Sequence, residues 1–471
     1  MGKLKRLISN TAILGAGTFA SKVLVLLLMP FYTWILTPAD FGTADLISQT
    51  ANLLIPLAAV GICDGIFRFI LDDSADKKKI LSTGMAILLA GSAVIAALAQ
   101  LLRFFDTLGD HVFLIIAYVL AANVHLAFAN FIRAEGKNGL FAIQGIANTA
   151  LTIGLNLLFL LGFKMGSTGY VLSVVVADAC ISVALFFIAK LYKNISFKAV
   201  DRSVAKQMLK FSIPYIPTTI MWLITSVSDR YIVTAYRDTA ENGLYAAAYK
   251  LPTILSLVSG VFIEAWHFSA VKDGEENERS RFFGMVYDCF MSFMFFCGSV
   301  IIAGAQIFTK ILLADSYFDS WQYVPVLVIA TVFSTLVSFL GSVYFLKKKS
   351  ALSMLTAMAG AITNIVLNLA LIPKFGAIGA AAATLVCYLL VYVIRAVNTK
   401  KYVAFDLHTL RAVVNTLLLG VQTAAWFLPW KFAWIAQIAV PVIILLFNVR
   451  GVIKGTEKLY GGFLNKFFKK N

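Results

Sequence analysis

The chain has 471 residues, is 60% hydrophobic and only 14% charged, and has a mean hydropathy of +0.84. Those values exclude a soluble globular domain, because long apolar runs recur along the whole length. The net charge of +16 would suggest nucleic acid in a soluble protein, but here its distribution follows membrane topology and no nucleic-acid partner is expected.

Apolar runs fall at 10–36, 43–67, 81–102, 112–132, 140–162, 169–189, 211–235, 244–268, 283–305, 323–345, 351–372, 377–394, 411–428 and 431–449. Each is of the order of the roughly 20 residues that cross a bilayer as a helix. The expected fold class is an all-α polytopic membrane protein with about fourteen transmembrane helices. The first run is too long for a signal peptide and no small-residue cleavage site follows it, so it reads as a retained span.

The first run also carries the residue on which the reading turns. Lys22 is the only charge in 12–36 and sits near its middle. A charge at mid-membrane costs at least about 2.5–3.5 kcal/mol and persists where it meets water, a partner or a ligand. Lys22 is therefore expected to point into a polar cavity; the competing reading is a lysine that snorkels to the interface.

Between the runs, basic loops alternate with short loops poorer in Lys and Arg. Lys3, Lys5 and Arg6, then 77–79, 190–210, 272–281, 347–349, 395–411 and 450–470 share one side. Asp106, Asp110, Asp315 and Asp319 lie on the other. The positive-inside rule makes the basic side cytoplasmic, with both termini inside a multi-pass plasma (inner) membrane protein. No loop is large enough for a catalytic domain. The five cysteines form no CxxC pair and the four histidines have no metal-ligand spacing, so no metal, no cofactor and no bond-breaking enzyme activity is expected.

The chain repeats itself. Leu155-Asn156-Leu157, then Gly166 and Gly169, is echoed by Leu367-Asn368-Leu369, then Gly376 and Gly379. Asp40-Phe41-Gly42 is echoed by Glu241-Asn242-Gly243. Both echoes give a repeat of six spans, hence two parallel six-helix bundles, an architecture suited to alternating access. The expected domains are 1–195 for the first bundle, 196–210 for a cytoplasmic linker and 211–399 for the second bundle. Residues 400–471 would add two extra helices and a basic tail.

Few other ionisable residues lie deep in the runs. Asp178 is expected near mid-depth as the charge partner of Lys22. Asp229 and Arg230 lie together in the seventh run, and Asp64 and Arg68 share a helix face in the second. Lys22, Arg230 and Arg68 are the candidate ligands for an anionic headgroup, since Arg matches phosphate oxygens with two donors and Lys offers a point charge. Asp178, Asp64 and Asp229 are the candidate coupling or charge-partner acids. The structural alternatives are a local Asp229–Arg230 pair and an interfacial anchor at Arg68 or Arg395.

These residues also carry a resemblance. Ser21-Lys22, Pro30 and Leu36-Thr37-Pro38-Ala39-Asp40-Phe41-Gly42 resemble the first-span pattern of polysaccharide-export (Wzx-like) flippases of the MATE/MOP superfamily. Phe211-Ser212-Ile213-Pro214-Tyr215-Ile216-Pro217, Asp229-Arg230-Tyr231, Gly243-Leu244-Tyr245 and Ala248-Tyr249-Lys250 resemble the start of that family's second bundle. Ile372-Pro373-Lys374-Phe375-Gly376 resembles its eleventh-to-twelfth-span turn. The resemblance implies transfer of undecaprenyl-pyrophosphate-linked oligosaccharide units from the cytoplasmic to the outer leaflet, for surface polysaccharide biosynthesis. It implies a lipid-linked oligosaccharide substrate in the lipid bilayer, with polysaccharide assembly proteins as candidate partners; H+ or Na+ is the candidate coupling ion, and downstream consumption of the product is the alternative source of direction. A lipid II flippase and a multidrug cation antiporter share the superfamily and stand as alternatives. A membrane polymerase or glycosyltransferase is disfavoured by the short outer loops. No Walker A motif is present, so ATP is not the direct energy source.

Overall fold

A computed structural model describes residues 28–71, 76–213, 216–270, 276–347, 349–429 and 433–449. Lys22 and the basic C-terminal tail lie outside the described residues. Among those described, the secondary structure is helical with no strand.

The principal helices are α1 (Met29–Ile35), α2 (Pro38–Ala59), α3 (Ile62–Ile70), α4 (Lys77–Leu98), α5 (Val112–Ala134), α6 (Asn138–Asn156), α7 (Gly166–Ile188) and α8 (Arg202–Ser212). They continue with α9 (Ile216–Tyr236), α10 (Thr239–Ala248), α11 (Lys250–Ala270), α12 (Glu276–Ala303) and α13 (Val324–Leu346). The last are α14 (Ser350–Phe375), α15 (Ala377–Thr399), α16 (Thr409–Ala425) and α17 (Ala433–Val449). Eight helices among the described residues are long and apolar enough to cross a membrane, and two bent pairs, α2 with α3 and α10 with α11, bring the number to ten. Adding α9, α16 and α17 accounts for every apolar run after the first.

Local chemistry sets the breaks. Thr37 caps α2: its hydroxyl oxygen accepts from the Asp40 backbone N–H at 3.1 Å, and Pro38 occupies the first turn where no donor is missed. The 52° bend between α2 and α3 occurs at Val60 and Gly61, both in the left-handed region. Asp76 caps α4 and Asp201 caps α8, each through two backbone N–H groups. Gly166 and Gly376 turn the chain at matching places of the two six-span repeats, with φ of 55° and 61°.

The described residues form two compact units. One runs to Thr234 and adds Asp238–Gly243; the other takes Ala235–Arg237 and the chain from Leu244 onward. In the first unit α5 is central, packing on α2, α3, α4 and α7, with α6 against α7. The segment at 196–210 is docked on this unit. Thr83 Oγ1 accepts from the Asp201 backbone N–H at 3.0 Å, Ser82 Oγ accepts from the Ser196 N–H at 2.9 Å, and Met208 is fully buried.

In the second unit α13 is the most deeply buried candidate span and packs on α11, α12 and α15. Aromatic rings fill the space around it: Phe262 stacks on Phe290 at 4.6 Å and Trp266 on Phe339 at 5.2 Å. Arg395, expected as an interfacial alternative, is instead buried on α15. Its guanidinium donates to Thr356 Oγ1 at 3.0 Å, to the Val337 carbonyl at 2.9 Å and to the Ser353 carbonyl at 3.4 Å, tying three helices. The last two helices are bound to α12 by buried amides. Asn415 and Asn448 exchange hydrogen bonds, while Gln422 exchanges with Ser299 and accepts from Gln437 through its carbonyl.

Candidate functional site

Three places in the first unit hold the described charged residues that the sequence singled out. The first is Arg230 on α9. It is buried, and its Nη1 lies 3.2 Å from Asp45 Oδ2 on α2. Asp45 also accepts from Gln49 Nε2 at 3.3 Å, one helical turn on. Beside this pair the Thr50 and Tyr231 hydroxyls share a hydrogen bond of 2.6 Å. A buried Arg opposite a carboxylate can exchange that partner for another anion, because guanidinium presents its donors as a planar fork. Asp229 is fully buried next to it, and its Oδ1 accepts the Arg230 backbone N–H at 2.9 Å.

The second place is the bend between α2 and α3. Asp64 and Arg68, one turn apart on α3, line an open cavity of about 410 Å³ with Pro56, Gly61, Phe211 and Ser212. Both side chains are exposed. Gly61 keeps the α8 end close, since a Cβ there would stand 3.3 Å from Ser212.

The third place is Asp178 on α7, which is buried. Its Oδ1 accepts from His125 Nδ1 at 2.9 Å and from Asn148 Nδ2 at 2.9 Å. His125 Nε2 lies 2.6 Å from Gln144 Oε1. Lys22, expected beside Asp178, is outside the described residues.

Sequence reasoning singled out Arg230 and Asp178 by their depth and did not single out the residues they pack against, Asp45 and His125. Asp45 lies near the start of an apolar run and reads as a boundary residue. Its spacing to Gln49 was the available signal. His125 lies deep in the 112–132 run, and an intramembrane histidine is itself a pointer to function. Among the described residues no group of three or more His, Cys, Asp or Glu is placed to hold a metal.

Just outside the spans, Glu135 caps the end of α5. It pairs with Lys137 at 2.7 Å and Lys77 at 3.0 Å. Burial raises its carboxyl pKa, and the hydrogen bonds and charges of the two lysines outweigh this, holding it below the usual glutamate range.

The family model described as polysaccharide biosynthesis protein matches residues 7–267. The solved structure of "Lipid II flippase MurJ, inward closed conformation" matches at TM-score 0.69 and 14% identity, over 96% of this chain and 100% of that one. An inward-facing multidrug resistance MATE family transporter of the MOP superfamily matches at TM-score 0.63 and 13% identity, over 81% of this chain and 95% of that one. The MATE multidrug transporter DinF-BH in complex with R6G matches at TM-score 0.58 and 16% identity, over 85% and 97%. At such identities the similarity is one of fold. No curated protein matches.

Proposed function

Since the chain belongs to the polysaccharide biosynthesis protein family, the Wzx-like branch of the MOP-superfamily flippases, we propose that it moves undecaprenyl-pyrophosphate-linked oligosaccharides across the membrane. The direction is from the cytoplasmic to the outer leaflet, by alternating access, for surface polysaccharide biosynthesis. The observation that carries this reading is a buried cation, Arg230, held against Asp45 beside two hydroxyls within the first unit. The substrate has an anionic head too polar to cross and a tail that stays in lipid. A pyrophosphate that takes over the Arg230 donors leaves Asp45 hydrogen-bonded to Gln49, and the Asp45 charge is then balanced by a proton or by a second cation.

Lys22 is proposed as a second cation for the same headgroup, and Arg68 with Asp64 as a contact at the α2–α3 bend. Asp178 and Asp229 are the acids proposed to balance or couple these charges. The basic loops are proposed to face the cytoplasm, with both termini inside. The protein is proposed to break no bond, so direction comes from an ion gradient or from downstream consumption of the product, and polysaccharide assembly proteins are its expected partners.

The cellular test is depletion of the protein in a strain that makes the surface polysaccharide. Lipid-linked oligosaccharide should accumulate where a membrane-impermeant lectin cannot reach it. Accumulation on the lectin-accessible face would place the defect after translocation and overturn the proposal.

A further inference from the structure

His125 is set between two hydrogen-bond partners that accommodate a doubly protonated ring. Asp178 Oδ1 accepts two bonds, one from His125 Nδ1 and one from Asn148 Nδ2. With Asp178 ionised, its oxygen accepts both bonds and Nδ1 carries the hydrogen. On the far edge of the ring, Nε2 faces the Gln144 side-chain amide, whose Oε1 accepts when Nε2 carries a hydrogen and whose NH2 donates when it does not. With Oε1 turned to the ring, both ring nitrogens donate and the ring is an imidazolium. The side chains of His125 and Asp178 are 15% and 9% exposed, closed enough to make the pair specific and open enough for a proton to arrive.

The neighbouring elements supply no competing charge among the described residues. Asp178 is the charged group from α7, and α6 offers only the amides Gln144 and Asn148. From α5 itself the nearby titratable group is Tyr118, which feels the Asp178 charge. On the other packed elements, Asp45 is engaged with Arg230, Asp64 and Arg68 line the cavity at the bend, and Lys77 and Lys79 pair with Glu135 and Asp201.

We infer that His125 and Asp178 form a proton-binding site inside the first unit, with Gln144 as the group that reports its state. With the proton bound, the pair is neutral overall. When the proton leaves Nε2 for water, the ring becomes an acceptor there, the Gln144 amide turns to present its NH2, and the Asp178 negative charge is no longer balanced. A buried net negative charge opposes an anionic headgroup, so proton occupancy sets how well the first unit accepts one. The last step rests on the flippase reading above; the proton site itself does not.

The test has two arms. In the purified full chain with 15N-labelled histidine, the His125 signal is assigned by its loss in His125→Gln. It should show both ring nitrogens protonated at pH 6, lose one as the pH is raised, and show only one at pH 6 in Asp178→Asn. A single neutral tautomer throughout, or a pattern unchanged by Asp178→Asn, overturns the site. In proteoliposomes, wild-type translocation of lipid-linked oligosaccharide should fall about threefold or more between pH 6 and pH 8, across the range where histidine titrates, and His125→Gln should lack that step. A step that persists in His125→Gln overturns the link to transport. If wild-type vesicles move no lipid-linked oligosaccharide, the flippase reading fails while the labelled-histidine arm still decides the proton site.

Discussion

Asn242 donates from its buried side-chain amide to the backbone carbonyl of Gly42, at 3.1 Å. The two residues belong to the two echoed motifs, Asp40-Phe41-Gly42 and Glu241-Asn242-Gly243. The approach is reciprocal: a Cβ on Gly42 would collide with the Thr239 carbonyl, and one on Gly243 with the Pro38 carbonyl. Each obstructing carbonyl lies one helical turn before the partner glycine, so the starts of α2 and α10 meet backbone to backbone. Small residues permit that closeness in membrane helices.

Gly42→Ala is therefore expected to separate the two helix starts, at the roughly 1–3 kcal/mol typical of overpacking. Asn242→Ala removes one hydrogen bond and should cost about 1 kcal/mol or less. Thiol labelling of Thr239→Cys in a background without the native cysteines reads the opening. Labelling should rise with Gly42→Ala and change little with Asn242→Ala. Equal labelling in all three backgrounds would show that the contact does not hold.

How much of this was legible beforehand depends on the kind of signal. The span positions were, because apolar length is a local property, and the described helices follow the predicted runs from the second onward. The paired echoes were legible as a repeat, yet nothing in the sequence said that two of them touch. Arg230 and Asp178 stood out as charges in apolar runs. Their partners Asp45 and His125 did not, because pairing is set by helix rotation, which a single sequence does not encode. Arg395 illustrates the same limit: its place near the end of a run suggested an interfacial anchor, whereas backbone carbonyls of neighbouring helices surround it.

The Arg395 cluster predicts a sharp dependence of the second unit on guanidinium geometry. Arg395→Ala strips donors from the Val337 and Ser353 carbonyls and should lower stability in detergent by about 2 kcal/mol or more, since hydrogen bonds from charged groups are the strong ones. Arg395→Lys keeps the charge without the fork and should recover only part of the loss. Thermal unfolding of the second unit decides; full recovery by lysine would mean that charge alone matters.

Glu135 predicts an acid-sensitive contribution to stability. Its folded-state pKa is depressed, so its contribution is present above the unfolded glutamate value, about 4.3, and is lost as the pH falls through the lower folded value. Glu135→Gln should be less stable than wild type at pH 7, and the difference should vanish as the pH drops towards about 3. Parallel melting-temperature curves for the two proteins over that range would contradict the assignment.

The central claim is that a buried cation carries an anionic lipid-linked headgroup across the membrane. Arg230→Ala alone leaves Asp45 buried without its partner, a loss of about 3–5 kcal/mol in comparable buried pairs, so it confuses folding with transport. The double variant Asp45→Asn with Arg230→Gln removes both charges together and should stay folded. The decisive measurement is translocation of a polyprenyl-pyrophosphate-linked oligosaccharide in proteoliposomes, read by protection from a membrane-impermeant glycosidase. Wild type should move the substrate well above protein-free vesicles, and the folded neutral double variant should not. Translocation by the double variant at the wild-type rate, or none by wild type, would contradict the account.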